Sequence, residues 1–272
     1  MPLFLRDPRV KAVRADIRSQ DEVGRLLGTE VGRIEAVVHL AAIVGDGACQ
    51  RNEELARQVN VQGTRNLAEI TRALGTSRFI FSSTCSNYGV SDDALATEES
   101  PIHAAFIYAA TKVEAESYLL RAATASFHPT ILRFATVYGV APRMSFVPLL
   151  NALVCDAVTK GEIQLYGPSA WRPFVHVDDA VQAILACLEG TPEKISGQVF
   201  NVGGENYQKG QLVAILRRLI PKACVMTMEE ADSRSYRVSF EKIARELGFR
   251  AARKVEEGVR EMVAYLRRRE MA

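Results

Sequence analysis

The sequence predicts a doubly wound α/β fold built on a parallel sheet. Two observations carry this: short apolar runs alternate with longer helical segments, and the clearest runs are continuous rather than alternating. A strand covered by helices on both faces needs apolar side chains on both sides, so a continuous run is its signature. Strand-like runs fall at Val10–Arg14, Ala36–Leu40, Arg78–Ser82 and Thr130–Phe134. Helical segments lie between them at Asp21–Leu27, Glu53–Leu74 and Tyr108–Ala123. After about residue 140 the elements shorten, with breaks at Gly161, Gly167-Pro168, Gly190, Pro192 and Gly203-Gly204. A last amphipathic helix is expected over Val255–Arg268. The expected organisation is a partial dinucleotide-binding domain over 1–140 and a smaller, mainly substrate-binding lobe over 141–272 that returns strands and helices to the first.

A chain of 272 residues can bury a full core. With 48% apolar and 24% charged residues, its composition is that of a folded globule rather than a disordered chain. The net charge is only +2 and the two signs are interleaved, which argues against nucleic acid or a membrane surface as partner. The run Arg267-Arg268-Arg269 shares its helix with Glu256, Glu257 and Glu261 and reads as a solvated face. No apolar stretch approaches the roughly 20 residues that span a bilayer. The opening Met1–Asp7 is too short and too soon charged for a signal peptide. Five cysteines without a C-x-x-C spacing suit reduced thiols, no metal site and a cytoplasmic setting.

The sharpest local feature is Tyr108-Ala109-Ala110-Thr111-Lys112. On a helix, positions i and i+4 share a face, so phenol and ammonium share an environment. A nearby cation favours phenolate and lowers a tyrosine pKa, as a base working near neutrality requires. The spacing alone is weak. Upstream, a strand ends in Phe81-Ser82-Ser83-Thr84-Cys85-Ser86-Asn87-Tyr88-Gly89, with hydroxyls where doubly wound folds place their ligands. Standing alone, that cluster reads as a polar strand-to-loop turn.

The order of the motifs is more specific than any one of them. The chain has Asp16-Ile17, then His39-Leu40-Ala41-Ala42, then Asn60-Val61-Gln62-Gly63-Thr64-Arg65-Asn66-Leu67, followed by Ser83-Thr84 and Tyr88-Gly89. Tyr108 and Lys112 come next, then Leu132-Arg133-Phe134 with Val137-Tyr138-Gly139, Arg172-Pro173-Phe174-Val175-His176-Val177-Asp178-Asp179 and Phe200-Asn201-Val202-Gly203-Gly204. This series resembles the extended short-chain dehydrogenase/reductases, among them the NAD-dependent nucleotide-sugar epimerases and 4,6-dehydratases, over nearly the whole chain. The resemblance implies a Rossmann-like sheet and a dinucleotide, NAD or NADP. It implies that Tyr108 removes the sugar 4-hydroxyl proton and that Lys112 holds the nicotinamide ribose and lowers the Tyr108 pKa. Thr84 would stand for the family's catalytic Ser/Thr. Asp16 and Ile17 would flank the adenine, Ala41 and Ala42 would line the dinucleotide path, and Ser82 would belong to the same cofactor wall. Asn60 looks structural, tying its helix to the neighbouring strand. Arg172 would meet the substrate diphosphate, where a planar guanidinium suits phosphate oxygens. Arg234 could reach that diphosphate or pair at the surface.

Other residues have plainer readings. His176 reads as a satisfied core histidine. Asp178 and Asp179 precede a helical run over Ala180–Leu188, and capping that helix would explain one of them. Trp171 could stack on a base or fill the core.

Two departures from the family matter. The 4,6-dehydratases carry an Asp-Glu pair after the catalytic Thr; here Cys85 and Ser86 stand there, which disfavours that dehydration. A Cys85 thiol could take a sugar C3 or C5 proton, but a free cysteine more often serves as a small buried hydrophobe. The family also opens with a strand, a Gly-x-x-Gly-x-x-Gly turn that cradles pyrophosphate, a helix and a second strand. No such glycine pattern occurs in this sequence. The expected sheet therefore lacks its middle strands and leaves an apolar edge open. The expected function is a nucleotide-sugar epimerase, or a dehydratase or 4-ketoreductase, acting at sugar C4 as a homodimer. The alternative is a catalytically inactive relative that serves as a binding module. The long helices could pair in a dimer through Ala109, Val113 and Leu120, or bury that stripe within one chain.

Overall fold

The computed structural model describes residues 7–28, 34–228 and 234–270. Met1–Arg6, Asp232 and Ser233 therefore lie outside the described residues. The chain opens with α1 (Gln20–Gly28), β1 (Ala36–His39) and α2 (Asp46–Arg51). A long helical stretch follows as α3 (Glu53–Arg57), a π turn (Gln58–Gln62) and α4 (Gly63–Ala73). Then come β2 (Arg78–Thr84), a 3-10 turn (Cys85–Tyr88), β3 (Val90–Ala96), α5 (Ile107–Arg121), β4 (His128–Phe134) and β5 (Thr136–Tyr138). The remainder comprises α6 (Leu149–Thr159), β6 (Glu162–Tyr166), β7 (Trp171–His176), α7 (Val177–Glu189), α8 (Pro192–Ile195), β8 (Gln198–Val202), β9 (Glu205–Gln208) and α9 (Lys209–Leu219). It closes with β10 (Cys224–Met228), β11 (Ser235–Val238), α10 (Glu241–Leu247) and α11 (Val255–Glu270).

The main sheet is parallel throughout, in the order β1-β2-β4-β8. All seven residues of β4 are buried, as the continuous apolar run requires. Alternate residues of the strands serve opposite faces. Phe79, Phe81 and Ile131 pack with Ala68, Ala115 and Leu119 of α4 and α5. Ile80, Leu132 and Phe134 pack with Ala180, Ala183 and Ile243 of α7 and α10. A further core joins α6, β6, α9 and α11 around Leu150, Ile163, Leu216 and Met262. Smaller sheets accompany it: β5-β7-β9, β6 with β10, and β3 with β11. These elements set the end of β2 against α5, with Lys112 bonded to the Ser82 carbonyl and Thr84 closing the strand.

Three expectations are corrected. Val10–Arg14 forms no strand and joins no sheet, and Val10 and Val13 are exposed. An apolar run without a ladder partner leaves its backbone groups to water and gains nothing from the extended form. The helix over Glu53–Leu74 is not a single α-helix, because its register slips by one residue in the π turn at Asn60. Neither Asp178 nor Asp179 caps α7 with its side chain. His176 Nδ1 accepts from the Asp178 N–H at 3.2 Å instead, while Asp179 accepts from the N–H groups of Ala252 and Arg253. The stripe on α5 is partly used within the chain, since Ala109 is buried and Leu120 packs against the α4–α5 core. Among the described residues no helix is long and apolar enough to cross a membrane.

Candidate active site

Thr84 is the last residue of β2, and its Oγ1 accepts from the Ser86 N–H at 3.1 Å, so it caps the 3-10 turn that follows. Ser86 Oγ lies 2.9 Å from the same oxygen. Gly89 leaves that turn with φ +66°, and a side chain there would collide with the His103 carbonyl. The result is a hydroxyl pair at the C-terminal end of a central parallel strand.

Helix α5 is fixed to this strand by its own polar face. Lys112 is 2% exposed; its Nζ donates to the Ser82 carbonyl at 2.8 Å and lies 4.6 Å from the centre of the Phe81 ring. Burial pulls the Lys112 pKa down to about 8, although Glu116 and Cys49 favour the charged form. One turn later, buried Glu116 meets Arg133 of β4 at 2.7 Å. Glu116 also accepts from Asn87 at 2.8 Å and from Ser83 Oγ. Arg133 donates to the Tyr88 hydroxyl at 3.0 Å, which donates to Asn201 at 2.7 Å. Burial opposes the Arg133 charge, but the hydrogen bond and charge of Glu116 outweigh it and hold the guanidinium's pKa up. The helix, both central strands and the 3-10 turn are thus joined through one buried carboxylate.

Asn60 makes the second set of ties. Its Oδ1 accepts from the Ile43 N–H at 2.8 Å, and its Nδ2 donates to the Ile43 carbonyl and to Thr111 Oγ1 at 3.0 and 3.1 Å. Thr111 in turn donates to the Tyr108 carbonyl at 2.8 Å. Asn60 therefore joins the loop after β1, which carries Ala41 and Ala42, to the helix turn that carries Tyr108. His39 adds to the same region, with Nε2 2.9 Å from Thr64 Oγ1. Burial, with the Lys112 charge, pulls the His39 pKa to about 3 and keeps the ring neutral. Ile17 lies against the start of α4. Gly63 makes room for Ile17, whose Cδ1 would stand 2.7 Å from any Cβ at that position. Asn66 Nδ2 donates to the carbonyls of Ile17 and Arg18. Asp16 pairs with Arg18 at 2.6 Å, and that hydrogen bond holds its pKa at about 2.

The expected effect of Lys112 on Tyr108 is overturned. The phenol is pushed up, first by burial and then by the neighbouring Cys49, Asp46 and Tyr236. Lys112 spends its ammonium on the Ser82 carbonyl and the Phe81 face. Cys85 is also decided. It is fully buried, its Sγ donates to the Arg133 carbonyl at 3.0 Å, and burial pushes its thiol far up, so it is the small core residue and not a base. His176 is buried with its ring edge-on to Tyr138.

The arginines come from the other side. Arg172, in β7, is buried; its Nη1 donates to the carbonyls of Trp171 and Arg234, and its guanidinium lies 5.3 Å from the Tyr236 ring centre. Arg234 pairs with Asp46 of α2 at 2.8 Å. Trp171 stacks under Arg237, 5.1 Å from its ring centre. Sequence reasoning missed Asp46, Glu116 and the Ser86 hydroxyl as parts of this region. For Glu116 a signal existed, because Tyr108, Lys112 and Glu116 recur at i, i+4 and i+8, and Arg133 interrupts an apolar strand. For Asp46 none existed, since only folding brings it to a residue 188 positions away.

A dinucleotide can be tested against these residues. For its two ends, Lys112 is fixed to the Ser82 carbonyl on the strand that ends in Thr84, and Ile17 packs against Gly63 at the start of α4. For its pyrophosphate no Gly-x-x-Gly-x-x-Gly turn exists in the 272 residues. Among the described residues no cluster of three or more His, Cys, Asp or Glu could hold a metal.

Comparison with known proteins agrees with this architecture. The chain is 30% identical over 240 residues to a UDP-glucose 4-epimerase of Corynebacterium glutamicum, covering 80% of this chain and 71% of that one. It is 27% identical over 222 residues to a UDP-N-acetyl-alpha-D-glucosaminuronate decarboxylase of Bacillus cytotoxicus, covering 78% of this chain but only 65% of the decarboxylase. Among solved structures, a dTDP-glucose 4,6-dehydratase of Streptomyces venezuelae with NAD bound superposes with a TM-score of 0.85 at 27% identity, over 98% of this chain and 82% of that one. A UDP-glucose 4-epimerase of Thermotoga maritima with UDP-glucose gives 0.84 at 26% identity, over 95% and 84%. Residues 3–203 match the NAD dependent epimerase/dehydratase family, and the chain belongs to it.

Proposed function

We propose that this protein acts on a nucleotide-sugar by oxidation at C4, most simply as a 4-epimerase. The observation that carries the reading is the join between β2 and α5: Thr84 ends the strand, and Lys112 is anchored to that strand's Ser82 carbonyl one turn after Tyr108. In this reading Tyr108, as phenolate, takes the proton of the C4 hydroxyl while the C4 hydride would pass to a bound dinucleotide, and it returns that proton to the C4 oxygen as the hydride would come back to the opposite face of the turned ring. Thr84 Oγ1 shares a hydrogen bond with the same sugar oxygen, and Ser86 orients Thr84. Lys112 holds the nicotinamide ribose, with Ser82, Ala41 and Ala42 along the same path and Asp16 and Ile17 at the adenine. Asn60 holds the loop and the helix at a fixed separation. Arg172 and Arg234 meet the diphosphate. A bound NAD, or NADP, would supply the hydride acceptor at C4. The buried Cys85 and the absence of an Asp-Glu pair after Thr84 weigh against 4,6-dehydration.

A second reading has its own support. The sequence has no glycine-rich pyrophosphate turn, and burial pushes the Tyr108 phenol away from the range of a base. A binding module that takes a nucleotide-sugar without turning it over would have these features. The two readings separate on incubation with UDP-glucose and NAD followed by NMR of the sugar. Conversion at C4 supports the epimerase, and unchanged sugar with measurable nucleotide binding supports the module. A homodimer through α4 and α5 belongs to the first reading, and light scattering of the purified protein tests it.

A further inference from the structure

Asp46 stands where two sides of the candidate site meet. Its Oδ2 accepts from Arg234 Nη1 at 2.8 Å, across 188 positions of sequence. The Arg234 guanidinium also lies 5.7 Å from the Phe106 ring centre, and Phe106 is the residue before α5, two positions from Tyr108. The Arg234 carbonyl accepts from Arg172 Nη1. The Asp46 side chain is only 18% exposed, so its pairing with Arg234 is partly shielded from water. One carboxylate thus touches one of the two arginines assigned to the diphosphate and feels the charge of the other.

We propose that Asp46 is a built-in competitor for the diphosphate: it holds Arg234 in position before substrate arrives and sets the affinity for nucleoside diphosphates. This rests on the reading of Arg172 and Arg234 as diphosphate ligands. An incoming diphosphate must take Arg234 from Asp46, so the observed affinity is the intrinsic one reduced by the fraction of molecules in which the pair is open. The same contact joins α2 to Arg234, the residue before β11. Asparagine at 46 keeps the size and an acceptor oxygen but removes the competing charge.

Calorimetric titration of the full chain with UDP, and with uridine as a phosphate-free control, tests this. Asp46→Asn should tighten UDP by about five- to tenfold, a change of roughly 1 to 1.4 kcal/mol by RT ln of that ratio, and leave uridine unchanged. Asp46→Ser should behave alike, which guards against a fault peculiar to one substitution. In an Arg234→Met background the gain from Asp46→Asn should fall to about twofold or less, because the partner being released is gone. Unchanged or weaker UDP binding by Asp46→Asn, or a gain that survives in full without Arg234, overturns the proposal. If the original chain binds UDP and Asp46→Asn alters nothing, the diphosphate reading stands and only the competitor falls. If no variant binds UDP, both fall.

Discussion

Tyr108 and Lys112 lie one helical turn apart, yet the lysine's ammonium points to a strand carbonyl and the tyrosine's pKa rises. Helical spacing brings two Cα atoms to one face; where the ammonium goes is decided by the best acceptor within reach, here the Ser82 carbonyl. That contact still leaves a buried cation, with a measurable consequence. The Lys112 pKa is lowered from 10.5 to about 8, so between these values the unfolded chain binds a proton that the folded chain has released. Stability contributed by this group therefore rises as pH climbs from about 8 to 10.5, and at neutral pH its buried charge costs a few kcal/mol. Thermal melts of the original chain and of Lys112→Met should show the variant more stable at pH 7, with the gap closing towards pH 10.5. A gap independent of pH would contradict the burial account. For Tyr108, replacement by Phe should lower turnover about 10²- to 10⁴-fold, the span of general acid–base contributions, with an unchanged melting temperature. Near-normal turnover would remove Tyr108 from proton transfer.

At the scale of elements, the Glu116–Arg133 pair ties α5 to β4, and Ser83 and Asn87 extend the tie to β2 and the 3-10 turn. Removing one partner leaves an uncompensated buried charge. Glu116→Leu and Arg133→Met should each cost about 3 to 5 kcal/mol, and the double variant less than their sum. Chemical denaturation of the four proteins measures the coupling, and strict additivity would show that the pair does not act as a unit. The contact between α4 and the Asp16-Ile17 segment has a different origin, in shape. Gly63→Ala should cost roughly 1 to 2 kcal/mol by driving a Cβ into Ile17, and Ile17→Ala should recover part of that loss. These ties also explain what could be read from the sequence alone. The strands at Ala36, Arg78 and Thr130 and the helix over Tyr108 were legible because each repeats a pattern set by its own burial. Val10–Arg14 carried the same local pattern and forms no strand, since a strand is completed only by a neighbour that a local run cannot supply. The π turn at Asn60 was invisible because it follows from Asn60 bonding to the loop at Ile43 and to Thr111, not from any residue's propensity.

Over the whole molecule, the four-stranded parallel sheet carries the Thr84–Ser86 hydroxyl pair and anchors Lys112, while Arg172 comes from β7 of a smaller sheet and Arg234 from the residue before β11. Family membership was legible because its motifs occur locally and in order, and the same motifs single out Thr84, Tyr108 and Lys112 as the residues proposed for the chemistry. The cross-chain contacts were not: Asp46 with Arg234, and Asn201 with Tyr88, join residues far apart in sequence and exist only after folding. The most direct measurement is the melting temperature of the purified chain titrated with NAD and NADP, alone and with UDP. A rise that grows with dinucleotide concentration is expected, worth about 2.7 kcal/mol at a hundredfold excess over Kd, and Lys112→Met should lose it. No rise at millimolar NAD or NADP, with or without UDP, would contradict oxidation at C4 by this chain.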